Sequence, residues 1–148
     1  ILWDLYGRLQ SKGKKTDPKV IVLDEVQNLD HKEGSPLSKY LREGRKFGLS
    51  LILATQTMSN MKKDERDRMF NAAHKLFFRP ADTELKAFAE IAALATRQKV
   101  DDWMRKLSSL SKGECYSIGS VLDPVGEKLV QKALKIRITA LEERSFDA

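Results

Sequence analysis

The chain has 148 residues, 41% of them hydrophobic and 32% charged, with 27 basic against 21 acidic side chains for a net charge of +6. That describes one ordinary domain with a core, globular in composition and not disordered. No apolar run reaches the roughly 18 residues of a membrane span, so no membrane partner is expected, and the basic balance admits nucleic acid.

The lone Cys115, with only His31 and His74 to join it, rules out an internal disulfide and leaves no zinc set, which fits a reducing cytoplasm. Lys and Arg gather at 8–19, 39–46, 62–68 and 128–137, several groups interleaved with acids, and read chiefly as solvated faces. The chain begins at Ile1 without an initiator Met and already in an apolar helical phrase, which reads as a piece of a longer protein.

The first predicted element is an amphipathic helix carrying Ile1, Leu2, Leu5, Tyr6 and Leu9 at helical spacing, ending in Ser11-Lys12-Gly13. Val20 to Leu23 form an unalternating, β-branched run, the pattern of a strand covered on both faces in a parallel sheet. Ser35 is the expected N-cap and Pro36 the first residue of a helix to about Phe47, closed by Gly48. Leu49 to Thr55 make the second buried strand, 58–73 a polar loop and short helix, and Lys75 to Arg79 a third strand stopped by Pro80.

Asp82 is expected to cap a helix with a core stripe of Leu85, Phe88, Ala89, Ala92 and Ala95. A second helix follows with Val100, Trp103, Met104 and Leu107. Alternation then takes over at Tyr116 and Ile118 and again at Leu134, Ile136 and Ile138. It predicts a closing antiparallel pair across a loop at Asp123-Pro124 and Gly126.

The phrase KVIVLDEVQNLD, 19–30, sets Asp24 and Glu25 at the carboxyl end of the first strand, where open α/β sheets gather their ligands. Phosphoryl transfer needs one carboxylate to hold magnesium through water and a second group to orient or deprotonate the attacking water. Adjacent residues leaving a strand point different ways, so Asp24 is assigned to Mg2+ and Glu25 to the water, a Walker B arrangement. An acidic pair that simply opens a turn is the plainer alternative.

Gln56, after the second strand, is a loop residue taken alone and a candidate γ-phosphate sensor beside that pair. Arg42, Arg45 and Lys46 suit the last turns of a helix with no function at all. One arginine crossing to a neighbouring subunit's nucleotide is the functional alternative.

VIVLDEVQNL, REGRKFGLSLILATQ, KLFFRPADTE and LSSLSKGECYSIG, together spanning about 19–120, resemble the C-terminal half of the motor domain in the HerA and FtsK group of hexameric DNA-translocating ATPases. Within that group, DEVQNLDHKEGSPLSKYLREGRKFG resembles the HerA-like ATPase of DNA phosphorothioation-dependent restriction systems.

The resemblance implies a single domain, 1–148, that is the Walker B-containing half of a RecA-like P-loop ATPase core. That fold is α/β, with a mainly parallel sheet, helices on both faces and a C-terminal antiparallel pair. It implies ATP with Mg2+, a hexameric ring, double-stranded DNA in its channel, and nuclease or restriction partners. By position Asp24 and Glu25 match the Walker B acids, Gln56 the sensor, Arg42 or Arg45 the finger in trans, and Arg79 an arginine common in the group that is assigned here to the nucleotide, a structural role being the alternative.

Three departures are visible. Gln27 stands where the group often has His, and Thr57-Met58 stands where Arg-Pro commonly follows ATQ. No G-x-x-x-x-G-K-[ST] occurs, so the phosphate cradle is missing and this segment by itself is expected to be inactive. The segment 59–68 reads as an exposed helix, with a DNA-channel loop as the alternative.

Rival classes are a DExx-type helicase lobe, a type IV secretion ATPase and a non-catalytic assembly module. The first predicts Ser-Ala-Thr at Ala54-Thr55-Gln56 and gives no reason for GRKFG.

Overall fold

The computed structural model describes residues 1–59, 61–123 and 125–143, which form two units, Ile1–Met69 and the residues from Phe70 onward. In the first unit, α1 (Leu2–Lys12) leads to β1 (Lys19–Leu23), a 3-10 turn (Val26–Asn28), α2 (Pro36–Glu43) and a second 3-10 turn (Gly44–Phe47). β2 (Leu49–Leu53) and α3 (Lys63–Phe70) follow. The cap expected at Ser35 is present: its Oγ accepts from the Ser38 N–H at 3.2 Å, with Pro36 opening the helix.

β1 and β2 pair in parallel in the register Lys19–Leu49 through Leu23–Leu53. One face of this pair carries Ile21, Leu49 and Leu51 into a cluster with Tyr6, Leu9 and Tyr40 from α1 and α2. The Tyr6 and Tyr40 rings meet edge to face with centroids 5.6 Å apart, and the two hydroxyls tie the helices, Tyr40 to the Leu2 carbonyl and Tyr6 to Glu43.

The opposite face holds Val20, Val22 and Ile52 at 60%, 65% and 55% exposure. Helices on both faces are therefore not what these residues build. An unalternating run specifies two apolar faces, and α1 and α2 cover one of them.

In the second unit, β3 (Lys75–Phe78), α4 (Leu85–Thr96), α5 (Val100–Ser108), β4 (Glu114–Leu122) and β5 (Leu129–Arg137) give an antiparallel sheet in the order β3-β4-β5, before a short 3-10 turn at Leu141–Glu143. The C-terminal pair read from alternation is present, with Glu114 opposite Arg137 and Leu122 opposite Leu129.

The mainly parallel sheet is corrected: β3 does not join β1 and β2 but runs antiparallel to β4, so parallel pairing is confined to one strand pair. Four residues carry too little pattern to state their partner, and opposite Cys115 to Ile118 they find a long strand of matching alternation. Phe77 and Ile118 face a core with Ala89, Ala92, Ala93, Trp103 and Leu107. Trp103, fully buried, donates its indole N–H to Thr96 Oγ1 at 2.7 Å.

Smaller differences have local causes. Strand β2 ends at Leu53, short of the expected Thr55 and ahead of a bend at Gln56, and the helix over 36–47 tightens to 3-10 geometry at Gly44. Glu84, rather than Asp82, sits at the N-cap of α4. Ala95 is exposed, and α4 turns Ala89, Ala92 and Ala93 inward. At the β4–β5 turn, Gly126 (φ +77°) donates to the Asp123 carbonyl; Pro124 lies outside the described residues, as does Asn60 in the 59–68 segment.

Candidate functional site

The strand pair ends in a built loop. Beyond Leu53 the ladder continues through the Ala54 N–H to the Leu23 carbonyl at 2.9 Å and the Val26 N–H to the Ala54 carbonyl at 3.0 Å. Val26 is wholly buried, and His31, also buried, has Nε2 2.7 Å from the Val26 carbonyl. The His31 carbonyl accepts from Arg68 on α3 at 3.1 Å. The chain on either side of the acids is thus pinned, and Glu25 between them is left to make the turn.

It makes that turn in the left-handed region, φ 52° and ψ 42°. For a residue with a Cβ this costs about 1–2 kcal/mol and persists only where surrounding contacts dictate it. Three contacts do so. The Glu25 N–H donates to Asp24 Oδ1 at 2.8 Å, Gln56 Nε2 donates to Glu25 Oε1, and Gln27 Nε2 donates to Glu25 Oε2. Thr55 Oγ1 lies 2.7 Å from Gln27 Oε1 and 2.8 Å from the Thr57 carbonyl.

The structure therefore brings Asp24, Glu25 and Gln56 together at the carboxyl ends of β1 and β2. Asp24 is exposed, and its Oδ2 forms no hydrogen bond or ion pair among the described residues. A single available carboxylate oxygen suits a magnesium ion whose remaining shell is water and phosphate. No group of three His, Cys, Asp or Glu that could hold a metal by itself occurs among the described residues.

The arginines lie elsewhere. Arg42, in the last turn of α2, pairs with Glu43 at 3.3 Å, while the Tyr6 hydroxyl bonds the other oxygen of Glu43 at 2.8 Å. That hydroxyl first, and then Arg42 and Lys46, hold Glu43 below the ordinary carboxylate range. Arg45 is exposed in the following 3-10 turn, with no ion-pair partner among the described residues. No hydrogen bond or ion pair joins either arginine to Asp24, Glu25 or Gln56 among the described residues.

Arg79, in the second unit, lines an open recess of about 440 Å³ at the end of β3 with Phe78 and the 109–114 loop, which adds Lys112. Neither cation has an ion-pair partner among the described residues, whereas Glu114 in the same recess is held by Lys135 at 2.9 Å.

Gln27 and Thr55 are site residues that the sequence reading did not assign a role. Gln27 was visible as a departure from a pattern, but its reach back to Glu25 depends on the left-handed turn between them.

An acid pair and a glutamine thus meet at the carboxyl edge of the parallel strands. No family model matches the chain. It is similar to two proteins described as DNA double-strand break repair helicase HerA. That of Sulfurisphaera tokodaii is 27% identical over 111 residues, 71% of this chain and 21% of the relative. That of Sulfolobus acidocaldarius is 30% identical over 128 residues, 80% of this chain and 24% of the relative. The chain is thus similar to a segment of proteins described as HerA helicases, spanning under a quarter of the length of these curated relatives. Among the described residues no helix is long and apolar enough to cross a membrane.

Proposed function

We propose that the chain is the Walker B segment of an ATP-hydrolysing DNA motor of the HerA type, with the parallel pair β1–β2 as part of a RecA-like core. The observation that carries this reading is Glu25, held in a left-handed turn with one carboxylate oxygen facing Gln56 from the adjoining strand. Residues held in sparsely populated backbone regions cluster at active sites and ligand clamps. The names of the two relatives agree with a helicase.

In this reading Asp24 presents Oδ2 to magnesium through water, and bound Mg2+ with ATP supplies the charge neutralisation that phosphoryl transfer needs. Glu25 orients the attacking water and accepts its proton, and Gln56 reports the γ-phosphate by exchanging its bond to Glu25 Oε1 for one to that group. Arg42 or Arg45 serves as the trans finger; Arg42 pairs with Glu43, and Arg45 has no ion-pair partner among the described residues. Arg79 contacts phosphate in its recess.

Duplex DNA is the substrate track, held by phosphates and therefore lost steeply with salt. A homo-hexameric ring, a cytoplasmic setting and a role beside a nuclease, including phosphorothioation-dependent restriction, complete the proposal. The 148-residue chain, with no G-x-x-x-x-G-K-[ST], turns over no ATP alone.

The test uses the full-length protein. Glu25→Gln should keep Mg-ATP binding and lower hydrolysis on the order of 100-fold or more. Hydrolysis by that variant at the parental rate overturns the reading.

A further inference from the structure

The carboxylate of Glu25 is held asymmetrically. Its Oε1 faces Gln56, an exposed side chain tied among the described residues only by that bond. Its Oε2 faces Gln27, a half-buried side chain whose far end is tethered in turn by Thr55 at 2.7 Å.

The direction of this chain follows from donor and acceptor chemistry. An ionised carboxylate only accepts, so Gln27 must offer it the NH2 end; the carbonyl end is then turned to Thr55, which must donate. Thr55 has one hydroxyl proton, and the Thr57 carbonyl at 2.8 Å competes for it. While Glu25 is ionised and held, the proton is committed to Gln27. Were Gln27 to release Glu25, Thr55 would be free to bond Thr57, the residue after Gln56.

We infer that Gln27 and Thr55 are positioning residues that anchor Glu25 through Oε2 and so make Oε1, the oxygen toward Gln56, its working oxygen. Neither touches the reacting atoms. Their work is to remove the rotation of the carboxylate, so that the oxygen that meets water or Gln56 is always the same one. Because the relay ends beside Thr57, it also ties the acid to the loop that carries Gln56.

This inference rests on the ATPase reading above, and the experiment separates the two. In the full-length protein, ATP hydrolysis and the affinity for a fluorescent ATP analogue with Mg2+ are measured for Glu25→Gln, Gln27→Ala, Thr55→Val, Thr55→Ser and the double variant Gln27→Ala/Thr55→Val. Thermal unfolding serves as the folding control. Loss of an orienting partner should lower kcat roughly 10- to 100-fold in Gln27→Ala and Thr55→Val, with KM for ATP changed less than about twofold.

Thr55→Ser, which keeps the hydroxyl, should recover most of the rate, and the double variant should be no slower than Gln27→Ala. A merely structural role would move KM, kcat and melting together and would not distinguish Ser from Val. The inference is overturned if Glu25→Gln abolishes hydrolysis while Gln27→Ala leaves kcat unchanged, or if Thr55→Ser is as slow as Thr55→Val. If Glu25→Gln itself hydrolyses normally, the function is wrong, and the positioning role falls for that separate reason.

Discussion

Gln56, three residues past the end of β2, gives its amide N–H to Oε1 of Glu25, two residues past the end of β1. The register of a parallel pair, with Leu23 opposite Leu53, is what makes residues 31 apart in sequence neighbours at the sheet edge. Replacing Gln56 by Ala should lower kcat on the order of 10-fold or more with little change in ATP affinity. Gln56→Glu should be worse, since two carboxylates would face each other across a hydrogen-bond distance. Steady-state kinetics of the full-length protein check both.

The left-handed turn at Glu25 makes a stability prediction independent of any substrate. Glu25→Ala and Glu25→Gly both remove the carboxylate, but only glycine adopts φ 52° without Cβ strain. Glu25→Gly should be more stable than Glu25→Ala by about 1 kcal/mol, read from denaturant midpoints. Equal midpoints would mean that the turn relaxes.

Gly48 marks the entry to β2. It has φ +74°, its carbonyl accepts from the Lys19 N–H at 2.9 Å, and a Cβ there would stand 2.6 Å from the Lys14 carbonyl oxygen. Gly48→Ala therefore combines positive-φ strain with a backbone clash and should cost about 1–3 kcal/mol, seen as a lower melting temperature. Gly34, also at positive φ (+89°), has nothing within 4 Å of its Cβ position, so Gly34→Ala should cost less.

A pH dependence follows from the bond between Tyr6 and Glu43. Glu43 is held below the ordinary carboxylate range, first by the Tyr6 hydroxyl. A depressed folded-state value contributes stability that is present above the unfolded value, roughly 4.3, and is lost as the pH falls through the folded one. Tyr6→Phe should therefore be less stable than the parent at neutral pH, with the gap narrowing below about pH 4. Unfolding midpoints measured across that range check it.

In the second unit, Thr96 accepts from the indole of Trp103 and donates to the Ala92 carbonyl, each at 2.7 Å. Thr96→Val keeps the shape and strands a buried N–H, so it should cost about 1–3 kcal/mol. Thr96→Ser should cost less, and thermal unfolding separates the two.

Local chemistry was legible in the sequence where one residue decides it. Ser35 with Pro36 gave the start of α2, Gly48 the close of the 3-10 turn that follows it, and the alternation from Tyr116 and from Leu134 gave the β4–β5 pair. The acids and Gln56 were legible as neighbours because each follows an apolar run read as a strand, although β2 stops at Leu53 and not at Thr55. Pairing was not legible for β3, since KLFF carries no information about its partner. The clamp by Gln27 and Thr55 was hidden for another reason: no residue type announces that a glutamate will take a positive φ.

The bare side of the β1–β2 pair, with Val20, Val22 and Ile52 in water, has a practical consequence. Apolar ribbon of this kind attracts other ribbon, so a solution of this segment alone should turn cloudy as it is concentrated. A polar replacement at Val22, whose side chain is exposed and takes no part in the acids' hydrogen bonds, is the handle with which to keep it clear.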